Sequence, residues 1–145
     1  MAPHEIDHFP PAPALSVRRS DGYAIVTISG EIDIARAPAL RERLIGLLRP
    51  GASRLVVDLS GVTFCDASGL AVLVGVARRV GLLGGVLRLA APTPLVSTVL
   101  RLTGLASRFE IFAGVPEAIG VPTRPSVHDA GGSASRRNVQ AAALL

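Results

Sequence analysis

Hydrophobic and polar positions alternate in two registers along the central part of the chain. Leu15 to Arg19 and Tyr23 to Gly30 read as two strands, and Ser20-Asp21-Gly22 between them predicts a hairpin turn. Ala37, Leu40, Leu44, Leu47 and Leu48 recur at helical spacing, with Pro38 in the first turn and Pro50-Gly51 as the stop. Leu55 to Leu59 is a short β-branched run, expected of a strand buried on both faces and followed by a turn through Ser60-Gly61. A second helix is expected from Ser68 towards Leu83, broken by Gly84-Gly85, and Val86 to Ala90 follows as a strand. Thr93 predicts a cap for a third helix with Pro94 at its first position and Gly104 at its end. Glu110 to Phe112 and Pro116 to Ile119 predict a last short strand and a final helical turn.

Strands that alternate with helices imply an α/β domain: a small mixed sheet of about four to five strands packed with about four helices. The expected domain spans 14–120. Residues 1–13 and 121–145 read as flexible tails, rich in proline at one end and in proline, glycine and serine at the other. No internal repeat is visible.

Composition then narrows the chemistry. All 15 basic residues among the 145 are arginine, and His4, His8 and His128 all lie near the ends. Without lysine there is neither a Schiff base nor a P-loop phosphate clamp. A Ser-His-Asp or Cys-His unit would have to borrow its histidine from a tail. The lone Cys65 makes no internal disulfide and, far in sequence from any histidine, offers no zinc site. These absences weigh against an enzyme, with metal-free carboxylate chemistry left open, and against a bound metal; that the protein is no enzyme and holds no cofactor is what the resemblance given below implies.

Mean hydropathy is high at +0.47, yet the apolar stretch from Ala67 is interrupted by Arg78 and Arg79 and the next one stops at Arg88. Neither reaches the roughly 18 to 20 apolar residues of a spanning helix. The N-terminus lacks the basic start and apolar run of a signal peptide. The expectation is a soluble, cytoplasmic protein. The formal charge of +4 is spread over scattered arginines with few aromatic residues between them, which does not favour nucleic-acid binding.

The informative stretch is Asp58 to Gly75, DLSGVTFCDASGLAVLVG. It puts the Ser68 hydroxyl at a helix N-terminus, where free N–H groups and the helix dipole favour anionic oxygen. Asp and Ser in front of a helix are also ordinary capping residues. On a helical wheel, Leu70, Leu73, Val74 and Ala77 form the expected core face. Ala71, Val72, Gly75 and Arg79 form the opposite face, apolar and small for a solvent surface. Such a face beside a modifiable hydroxyl fits a docking site; cover by a loop or tail is the other reading.

This stretch, with Ile28 to Leu44 (ISGEIDIARAPALRERL) and Leu102 to Phe112 (LTGLASRFEIF), resembles the STAS domain family, specifically the bacterial anti-sigma factor antagonists. The resemblance covers about residues 14 to 120. It implies partner switching: the unphosphorylated protein docks onto an anti-sigma factor that is also a serine kinase, and a sigma factor is released. The kinase then phosphorylates the serine before the glycine, here Ser68, and a serine phosphatase resets the switch. Asp66 matches the acid of the motif and Asp33 the acid after the second strand. The partner surface so expected comprises Asp33, Asp66, Ser68, Gly69, Ala71, Val72, Gly75 and Arg79, with Asp66 either a helix cap or a carboxylate that the kinase reads. Two departures stand out: Ala67 occupies a place where many members have a second hydroxyl, and Arg36 one where Ser or Thr commonly caps the first helix. A STAS module without a phosphorylation cycle, serving as a scaffold or transport accessory, is the alternative. A nucleotide-binding or catalytic protein is the third.

Overall fold

The computed structural model describes residues 13–120. Five strands and four helices alternate along the chain: β1 (Ala14–Ser20), β2 (Tyr23–Ile32), α1 (Ala37–Ile45), β3 (Arg54–Cys65), α2 (Ala67–Leu82), β4 (Val86–Ala90), α3 (Pro94–Leu102), β5 (Glu110–Phe112) and α4 (Val115–Gly120). A 3-10 turn, Leu105–Arg108, links α3 to β5. The expected α/β architecture is present. Of the expected tails, only Pro13 falls within the described residues.

The sheet is built in chain order, β1-β2-β3-β4-β5. β1 and β2 form an antiparallel hairpin, turned at Asp21 and Gly22, which both take positive φ (54° and 81°) as the twist of a two-residue hairpin demands. β2 to β5 are parallel to one another. When parallel strands are added in one direction through right-handed crossovers, every crossover helix falls on the same face. That face holds the main core: Val26 and Ile28 of β2, Leu55, Val57 and Leu59 of β3, and Leu89 of β4 meet buried side chains of α1, α2 and α3. The other face is covered by α4, where Ala118 packs with Tyr23, Ile25, Val56, Ala90 and Phe112. Here Arg88 is buried on β4. It donates to the Tyr23 hydroxyl (2.8 Å) and the Ala118 carbonyl (2.7 Å), and pairs with Glu110 at 3.0 Å.

Two expectations about elements change. The turn expected at Ser60-Gly61 is a bulged continuation of β3: the β2–β3 register shifts between Thr27 and Ser29 and again between Gly30 and Glu31, and pairing runs on to Ile32 with Cys65. Asp58 braces the bulge, its Oδ1 accepting from Ser60 N at 3.0 Å. α1 ends at Ile45, short of the expected Leu48. The strand extension matters for the site, because it carries Cys65 and Asp66 to the rim of the sheet.

Candidate functional site at the rim of the parallel strands

The carboxyl ends of parallel strands are where α/β sheets present their working residues, and here β2 and β3 end side by side. Ile32 pairs with Cys65, and the Asp66 N–H donates to the Ile32 carbonyl at 3.2 Å. Asp33 and Asp66 are therefore the first residues to leave neighbouring strands, at the same rim.

Asp66 caps α2. Its backbone is extended (φ −104°, ψ −170°), and Oδ1 accepts from the N–H groups of Ser68 (2.9 Å) and Gly69 (3.2 Å). Of the two roles expected for Asp66, the cap is the one the structure displays. The carboxylate satisfies two of the orphan donors at the helix start. Ser68 is half-buried, and among the described residues its hydroxyl has no hydrogen-bond partner. The helix start is thus complete without the Ser68 side chain.

Gly69 fixes how close α2 comes to the rim. A Cβ there would lie 2.7 Å from Cys65 Sγ, 2.8 Å from Ile32 Cγ2 and 2.9 Å from the Ile32 carbonyl oxygen. Only a glycine lets the helix start sit against the end of β2. Cys65 is buried; burial, with a smaller contribution from the Asp66 charge, pushes its thiol up to about 11. A thiol so held is protonated at neutral pH and unreactive.

At the start of α1, Asp33 Oδ1 accepts from Arg36 N at 3.0 Å and its backbone carbonyl from Arg36 N and Ala37 N. Asp33 Oδ2 pairs with the Arg36 guanidinium at 2.6 Å. The place expected for a capping Ser or Thr is filled by an arginine with no side-chain cap bond; Asp33 does the capping from three residues upstream.

The expected docking face of α2 needs rotation. Its buried side is Gly69, Leu70, Val72, Leu73, Val76 and Val80, so Val72 (5% exposed) and Gly69 lie inside rather than on the partner surface. The outward side carries Ala67, Ala71 and Arg78, with Gly75 and Val74 half-buried and Arg79 exposed beside it. Ala71 and Arg79 are exposed and Gly75 half-buried, while Val74 and Ala77, expected in the core, are half-buried at its edge. A shallow groove of about 460 Å³ runs along this side, between Ala67, Ala71, Val74 and Arg78 of α2 and Leu105 of the 3-10 turn.

Two rim residues carried no signal in the sequence pattern. Ile34 is 73% exposed just after β2 and Phe64 is 44% exposed near the end of β3. Both are large apolar side chains at the same rim as Ser68. Among the described residues no cluster of His, Cys, Asp or Glu could hold a metal ion, and no described helix is long and apolar enough to cross a membrane.

Comparison with known proteins agrees with this fold. The family model of the STAS domain matches residues 14–118. The chain is 35% identical over 99 residues to the anti-sigma-B factor antagonist of Bacillus subtilis strain 168, covering 68% of this chain and 90% of that protein. It is 30% identical over 112 residues to the anti-sigma-F factor antagonist RsfB of Mycobacterium tuberculosis, covering 76% and 89%. A crystal structure of an anti-sigma factor antagonist from Mycobacterium paratuberculosis superposes with a TM-score of 0.69 at 31% identity, covering 77% of this chain and 94% of that one.

Proposed function

The chain belongs to the STAS domain family, and on that premise we propose that it is an anti-sigma factor antagonist switched by phosphorylation of Ser68. In its unphosphorylated form it binds an anti-sigma factor that is a serine kinase, and the sigma factor is set free. Support comes from the relatives above, each named as an anti-sigma factor antagonist. The observation that carries the reading is the division of labour at the start of α2. Asp66 does the capping, and the Ser68 hydroxyl is left without a structural task.

In the proposed transfer, Ser68 Oγ attacks the γ-phosphorus of ATP held by the kinase. The Oγ–P bond forms, the bond to the leaving ADP oxygen breaks, and the hydroxyl proton passes to a base on the kinase. This chain supplies the hydroxyl and the docking surface: Asp33 and Asp66 at the rim, Ile34 and Phe64 as its apolar contacts, and Ala71, Gly75 and Arg79 along α2. A serine phosphatase restores the hydroxyl by hydrolysis, the phosphoryl group leaving to water as inorganic phosphate.

Phosphoserine adds about −1.5 to −2 charge. Repulsion from a carboxylate two residues away costs on the order of 1–3 kcal/mol at intermediate dielectric, and the helix N-terminus returns about 0.3–1 kcal/mol. A domain with the usual reserve of about 5–15 kcal/mol survives that difference. A partner interface closed over Ser68 does not, because there the dianion must be desolvated.

The test is incubation of the purified chain with candidate anti-sigma factors and ATP, read by mass spectrometry and by binding. Phosphate is expected on Ser68, Ser68→Ala is expected to bind without being phosphorylated, and Ser68→Glu to bind at least about tenfold more weakly. Phosphate appearing on Ser68→Ala would move the acceptor elsewhere. Binding with no phosphate transfer at all would favour a scaffold without a phosphorylation cycle.

A further inference from the structure

Resting on that reading, we infer that the groove beside Ser68 receives an acidic, apolar helical segment of the anti-sigma factor. Three observations fix the chemistry of the occupant. The groove floor is apolar and low, formed by Ala67, Ala71 and Val74 on one side and Leu105 on the other. Between Ala67 and Phe109 the chain contains no aspartate or glutamate at all. Four arginines of that stretch, Arg78, Arg79, Arg101 and Arg108, are exposed, and among the described residues none of them is paired with a carboxylate. Arg78 lines the groove itself, and with Arg108 it also lines the smaller hollow that continues it past Val74 and Phe109.

An apolar trough with the unneutralised guanidinium groups of Arg78 and Arg108 at its border fits a helix that carries apolar side chains on one face and carboxylates on the flanks. From Ala67 to Arg78 the groove follows roughly 16 Å of α2, or about three turns, at the usual rise per residue. Its concave form suits a helix better than a flat lipid surface, and the scarcity of aromatic residues suits it better than nucleic acid. Because the groove begins at Ala67, next to Ser68, a phosphate on Ser68 sits at its mouth and repels an acidic occupant. The inference therefore also gives the switch its direction.

The test is selection of a displayed library of random 14-residue peptides on the full chain, with counter-selection on the Arg78→Glu/Arg108→Glu variant. Recovered peptides are expected to carry Asp or Glu beside Leu, Ile or Phe at three- and four-residue spacing. A recovered peptide should bind the charge-reversed variant at least about tenfold more weakly, and replacing its Glu by Lys should restore binding to that variant. Circular dichroism verifies that the variant, altered only at exposed positions, is folded. Recovery of neutral or basic peptides, indifference to the charge reversal, or no recovery at all overturns the inference. So does binding to phosphatidylglycerol vesicles that depends on Arg78 and Arg108 in place of peptide binding. The selection involves no anti-sigma factor and no phosphate, so its failure is distinct from failure of the proposed function.

Discussion

The first two crossover helices start at the same rim, from neighbouring strands, and each has an aspartate where the strand ends. Their solutions differ. At α1 the Asp33 carboxylate holds one backbone N–H and the guanidinium of Arg36, so acid, base and helix end satisfy one another. At α2 the Asp66 carboxylate holds two backbone N–H groups, and Gly69 brings the helix hard against Ile32 and Cys65. One start is a closed local network. The other is capped with a hydroxyl to spare, and that hydroxyl is the one proposed for modification. A helix N-terminus alone does not make a site; what distinguishes the second is that its structural needs are met without Ser68.

The sharpest way to break the contrast is Gly69→Ala. The added methyl group meets a backbone oxygen that has no room to yield, so α2 must lift from the rim. A loss of about 1–3 kcal/mol is expected, read as a lower urea midpoint with the slope unchanged. Wild-type stability in this variant would mean that the close approach is not required.

Removal of the two caps comes next. Asp66→Ala strands two donors and is expected to cost about 0.5–2 kcal/mol, with Asp66→Asn restoring most of it because asparagine caps as well. Asp33→Ala should cost less, about 0–1 kcal/mol, since the Asp33 carbonyl still accepts from Arg36 N and Ala37 N and the ion pair is partly solvated. Thermal melts of the three variants rank them directly. If Asp66→Asn melts like wild type yet accepts no phosphate, its charge is read by the kinase in addition to capping the helix.

A further contrast concerns pH. β2 ends in Ile32 at the position where β3 ends in Cys65, which titrates. The unfolded thiol ionises near 9.0, whereas the folded one is held protonated until about 11. Above 9.0 the unfolded state loses a proton that the native state keeps, so stability falls as pH rises from 9 to 11. Urea midpoints at pH 8 and pH 10.5 should converge in Cys65→Ala relative to wild type. An equal alkaline loss in both would assign it to other groups.

Much of this was legible beforehand. The order of strands and helices, the Asp21-Gly22 hairpin turn, the Thr93 cap (its Oγ1 accepting from Val96 N at 3.3 Å) and the position of Ser68 at a helix start all follow from local patterns. The face of α2 did not. A helix written ASGLAVLVGVARRVGL has no polar stripe to mark its outside, so periodicity cannot set its phase, and Val72, which a helical wheel puts at the surface, belongs in the core. The length of β3 was hidden for a related reason. Ser60-Gly61 has the composition of a turn, and only pairing with β2 through a bulge keeps the strand going to Cys65.

By itself, then, the sequence determined the chemistry available: one hydroxyl at a helix start, an acid to cap it, and no lysine or central histidine to catalyse with. These are properties of residue type and short spacing, which survive in any compact arrangement of the chain. The tertiary structure alone decided what surrounds that hydroxyl. Asp33, Ile34 and Phe64 come to the rim by strand register, and Leu105, some forty residues away, closes the groove along α2. Contacts between residues distant in the chain depend on how whole elements pack, and no local pattern encodes them.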